Sequence, residues 1–78
     1  MYRKTNIGAL ITYDAKDASK QLLVQFSKAR GVYADVATHY GVAITTVRRW
    51  VATLANAGID VVPRIERIRE LALDLEPG

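Results

Sequence analysis

The sequence predicts an all-α domain: a three-helix core, a C-terminal amphipathic helix and one short strand near the N-terminus. Three observations carry that prediction. Apolar residues recur at helical spacing within residues 14–30, 32–57 and 63–75. Glycines stand at the breaks, at Gly31, Gly41 and Gly58, where a chain can leave a helix through a left-handed residue. Seventy-eight residues, half of them hydrophobic, give material for one core and one domain.

Composition narrows the function. There is no cysteine, which excludes a disulfide scaffold and a cysteine zinc site. No hydrophobic run approaches membrane-spanning length and no signal-peptide pattern opens the chain, so a cytoplasmic, nucleoid-associated protein is expected. The net charge is +3, unevenly spread. Residues 1–31 carry six basic and two acidic side chains, whereas residues 59–78 carry three basic and five acidic ones. A polyanion would meet the first half. No cysteine nucleophile, glycine-rich phosphate loop or His–carboxylate set with metal spacing is present, so no enzyme, cofactor or metal site is expected.

In chain order, residues 1–13 read as an arm and a strand. Arg3 and Lys4 make a basic arm toward a minor groove, or else belong to a frayed terminus. Ile7–Tyr13 is rich in β-branched and aromatic residues and reads as a short strand. Its partner would be Ile59–Val62 or the same run of a second subunit. Residues 14–30 form the first helix, capped by Asp14, with Ala18, Leu22, Phe26 and Ala29 as one apolar stripe. It is expected to buttress the third helix of the core. Lys28 and Arg30 are either phosphate contacts or solvated surface.

Residues 32–57 organise the rest. Ala37, Gly41, Val47 and Trp50 are spaced as two helices that cross through a tight turn. Val47 and Trp50 point into the crossing, and Val36, Tyr40 and Val42 complete the seam. Ala43, Ile44, Thr45, Arg48, Arg49 and Ala52 are left facing outward. That pattern is a helix-turn-helix, whose second helix would lie in a DNA major groove. Arg48 can fork onto guanine; Thr45 and Ile44 can meet thymine methyls, and Ala52 lets the helix sit deep. Arg49 and Thr46 suit phosphates, as does Tyr33 if its hydroxyl faces the backbone rather than the core edge. Ile44 has a second reading, as a residue buried because the helix starts later. His39 reads as a surface histidine.

The stretch GVYADVATHYGVAITTVRRWVATLANAGI resembles the Fis-type, homeodomain-like helix-turn-helix of bacterial DNA-binding proteins. The matching residues are Gly31, Ala37, Gly41, Val47, Arg48 and Leu54, then Gly58-Ile59, over roughly the middle third of the chain. The resemblance implies double-stranded DNA as partner and transcription regulation or DNA architecture as function. Transposase N-terminal domains share the pattern, so a DNA-end-binding module is the first alternative. A protein–protein interaction module on the same fold is the second. One departure is Ala43, where the family has a capping hydroxyl, which moves the expected cap to Thr45.

Residues 63–75 form the last helix, with Pro63 in its first position and Ile65, Ile68, Ala72 and Leu75 as its stripe, Leu71 beside it. It either covers its own core or pairs with a second copy. A homodimer through this helix, the N-terminal strand or both is expected.

Overall fold

The structure, a computed structural model, describes residues 7–75. The basic arm expected at Arg3 and Lys4 lies outside the described residues. Within them the chain is all-helical and contains no strand: α1 (Ile7–Tyr13), α2 (Ala15–Lys28), α3 (Tyr33–Tyr40), α4 (Ile44–Asn56) and α5 (Val62–Leu75).

The strand expected at Ile7–Tyr13 is therefore corrected to a helix. Ile7 and Ile11, one turn apart, are both buried, with Leu10 packed beside them. A strand would have sent Ala9 to the same face as these two isoleucines, yet Ala9 is exposed. Burial of an i, i+4 pair outweighs the β preference of the same side chains. Strand pairing with Ile59–Val62, within the subunit or between subunits, falls with it. That segment is a helix stop followed by a helix start.

Asp14 alone separates α1 from α2. Its N–H donates to the Leu10 carbonyl (2.7 Å), finishing α1, while its carboxylate accepts from the Asp17 N–H (3.1 Å), capping α2 as expected. Ala18, Leu22 and Phe26 of α2 are fully buried, and Leu23 and Ala29 flank them.

Helices α2, α3 and α4 all stop in the same way. The amides of Gly31, Val42 and Ile59 reach back to the carbonyls of Phe26, Ala37 and Leu54, and those of Arg30, Gly41 and Gly58 to Ser27, Thr38 and Ala55. This is the paired 6→1 and 5→2 closure of a Schellman motif. Its left-handed residue is glycine in α3 and α4 (Gly41, φ 69°; Gly58, φ 92°). In α2 it is Arg30 (φ 57°), followed by a second left-handed residue, Gly31.

The core joins Ile7 and Ile11 to the α2 stripe, Val36 and Ala37 of α3, Val47, Trp50, Val51 and Leu54 of α4, and Val61 and Ile65. One expectation changes here. α4 is supported chiefly by α3 and α1, whereas α2 packs on α1, α3 and α5. The buttress comes from the segment that resembled a strand. Val62 opens α5, its N–H held by the Asp60 carboxylate (3.2 Å), so Pro63 takes the second helical position instead of the first. Ile65 is buried and Ile68 half-buried on the subunit's own core, but Leu71 further along is 53% exposed.

Candidate nucleic-acid interface

The turn after α3 sets how α4 is presented. Gly41 is left-handed, Val42 folds back onto the core, and Ala43 is extended (φ −74°, ψ 154°), so α4 starts at Ile44. From there Val47, Trp50, Val51 and Leu54, at helical i, i+3, i+4 and i+7, all face inward. Trp50 meets Tyr40 edge-to-face at 5.4 Å, fixing α4 against the end of α3. The opposite face exposes Ile44, Thr45, Arg48, Arg49 and Ala52, the set read from the sequence; Thr46 is half-buried. Ile44 is 40% exposed at the first position of the helix, so the late-start reading is excluded.

The outer face is cationic. α4 carries two arginines and no acidic residue. No side chain caps it: Thr45 does not supply the cap expected of it, and the amides of Thr46 and Val47 turn inward to the Ala43 carbonyl. α3 likewise begins at Val32 without a side-chain cap. α4 thus opens with a positive dipole end and no acidic residue in its first turn, whereas α3 carries Asp35 in its first turn.

Tyr33 is the core-edge aromatic of its two readings. Its ring packs edge-on against Phe26 at 4.9 Å, and the Arg48 guanidinium lies over it, 5.9 Å from the centroid. That distance is within cation–π range. Burial pushes the Tyr33 phenol above its ordinary value, Arg48 pulls it back, and Glu66 and Arg69 add smaller opposing effects. The site thus brings together Tyr33, Arg48 and two residues that sequence reasoning missed, Glu66 and Arg69. Arg69 crosses from α5 and packs over Gly31. Only its place beside the Ile65–Ile68–Ala72 stripe hinted at this.

The other expected phosphate contacts are more dispersed. Arg30 is exposed in the left-handed link. Lys28 lines two surface recesses, one against α5 and one beside Asp35 and His39 of α3, and neither includes a residue of α4. His39 is exposed and its ring contacts Tyr40 at 4.8 Å; no metal-binding cluster exists among the described residues. No helix of the described chain is long and apolar enough to cross a membrane. No family model, curated protein or solved structure matches this chain.

Proposed function

We propose that this chain binds double-stranded DNA, with α3 and α4 as a Fis-like helix-turn-helix and α4 as the helix that enters the major groove. One observation carries the reading. The face of α4 opposite its buried stripe displays Arg48 and Arg49 together, with small or hydroxyl-bearing neighbours and no carboxylate. Such a face offers forked donors to guanine and phosphate and nothing that repels the duplex. In this reading Arg48 is the principal base contact, with Thr45, Ile44 and Ala52 against neighbouring base edges. Arg49, Thr46 and Arg30 anchor phosphates. Lys28 stands apart from α4, beside recesses walled by α2, α3 and α5. The stacking of Arg48 on Tyr33, at the first position of α3, restrains the guanidinium on the outer side of α4. The biological role is transcriptional regulation or DNA architecture. A two-fold dimer would set two α4 helices about one DNA turn apart, ~34 Å.

The test is fluorescence anisotropy with duplex DNA across a salt series, repeated on Arg48→Ala/Arg49→Ala. Affinity should fall steeply with salt, and the double variant should flatten the log–log slope by about one, for the Arg49 phosphate contact removed. A folded protein that fails to bind duplex at low salt would sink the proposal.

A further inference from the structure

A groove of about 690 Å³ runs between α2 and α5. Its apolar floor is Leu23, Val24 and Ile68, and Val24 is 50% exposed. Its rim is Lys20, Lys28, Arg64 and Arg67, with no carboxylate. Arg64 and Arg67 lie on the flank of α5 away from Arg69, which faces Gly31 and the Tyr33–Arg48 contact, and Lys20 and Lys28 face them from α2. DNA held on α4 would leave them unused.

The complement of this groove lies on the same chain. Along α5, Arg64, Arg67, Leu71 and Asp74 follow one another at spacings of three, four and three, which puts them on one helical face beside the buried stripe. The first half of that face is cationic and lines the groove. The second half carries the exposed Leu71 and Asp74, with Glu70 at its edge. Among the described residues, neither Arg67 nor Asp74 is engaged in an ion pair.

We propose that the groove is filled by α5 of a second copy, running antiparallel about a two-fold axis between Ile68 and Leu71. In that register Leu71 of each copy packs on Ile68 of the other, and Asp74 of the second copy falls between Arg64 and Arg67. Antiparallel pairing brings like flanks together, so Arg67 and Asp74, which share a flank, meet across the axis. Glu70 and Asp74 supply the carboxylates that the rim lacks. The two α2 helices close the outside, giving a four-helix bundle of two α2–α5 pairs. This assigns the interface of the dimer proposed above and does not depend on DNA binding.

The test is sedimentation velocity without DNA over a protein concentration series, for the wild type, Asp74→Arg, Leu71→Ala and the swap Arg67→Asp/Asp74→Arg. All three positions are exposed in the single subunit, so circular dichroism should show unchanged helicity. Asp74→Arg and Leu71→Ala should each weaken the dimer by about tenfold or more, since each change counts twice across a two-fold axis. The charge swap should recover most of the loss caused by Asp74→Arg. A wild type that stays monomeric overturns the proposal and makes an acidic segment of another protein the groove's occupant. A dimer indifferent to Asp74→Arg and Leu71→Ala also overturns it and places the interface elsewhere. DNA affinity, read separately, decides the other proposal.

Discussion

Arg69 occupies the space that any side chain at Gly31 would need: a Cβ built there would collide with the Arg69 Cγ. Gly31 is also left-handed, at φ 78°. Two independent demands thus meet at one position. Gly41 faces only the conformational one, since nothing lies within 4 Å of a Cβ added there. Gly41→Ala should cost about 1–2 kcal/mol, the ordinary left-handed penalty. Gly31→Ala should cost clearly more, and Arg69→Ala should recover part of the excess. Urea unfolding of the two single variants and of Gly31→Ala/Arg69→Ala measures this as a non-additive cycle.

Because α1 is a helix packed under α4, its inward residues should behave as core. Ile7→Ala should destabilise by about 2–5 kcal/mol, a large part of a small domain's stability. Tyr13, 85% exposed at the end of the same helix, should tolerate alanine within about 0.5 kcal/mol. Thermal unfolding of both variants separates a packed helix from a loosely attached lead segment.

Arg48 should distinguish sequence from charge. If its fork reaches guanine, Arg48→Ala costs about 1–3 kcal/mol on a preferred duplex and much less on random DNA. Competition anisotropy with selected and random duplexes reads the difference. Equal weakening on both would make Arg48 a phosphate contact held in place by Tyr33.

Alkaline stability should report the buried phenols. Burial raises Tyr33 and Tyr40 above the ordinary value of 10.0. The protonated phenol is neutral, so the native chain holds these protons more tightly than the unfolded chain does. The resulting stability is fully present below the ordinary value and is lost as pH rises through the higher native values. Denaturant midpoints should therefore decline above pH about 10, and Tyr33→Phe/Tyr40→Phe should flatten that decline. Arg48→Ala should move the Tyr33 titration higher still, because Arg48 is the stronger of the two cations that lower it.

Legibility followed element length and the range of the contacts involved. The α2 stripe and its Asp14 cap, and the inward pair Val47 and Trp50, were readable because several turns repeat one local rule. α1 was not, since seven residues span barely two turns and their β-branched content points the other way. The all-helical class was otherwise legible, but the support of α4 by α1 was not, because it joins segments more than thirty residues apart. At the candidate interface, the exposure of Ile44, Thr45, Arg48 and Arg49 followed from periodicity. The roles of Tyr33, Arg69 and Lys28 depended on which helix lies opposite, and no local pattern encodes that.

The packing of α1 under α4 also bears on portability. A segment cut to α2, α3 and α4 would leave a hole where Ile7 and Ile11 belong. A graft onto another protein therefore has to begin no later than Ile7, and a fusion partner joined ahead of it needs a spacer that leaves the first turn of α1 free to seat. The smallest transferable unit of this chain is set by its least helix-like stretch of sequence.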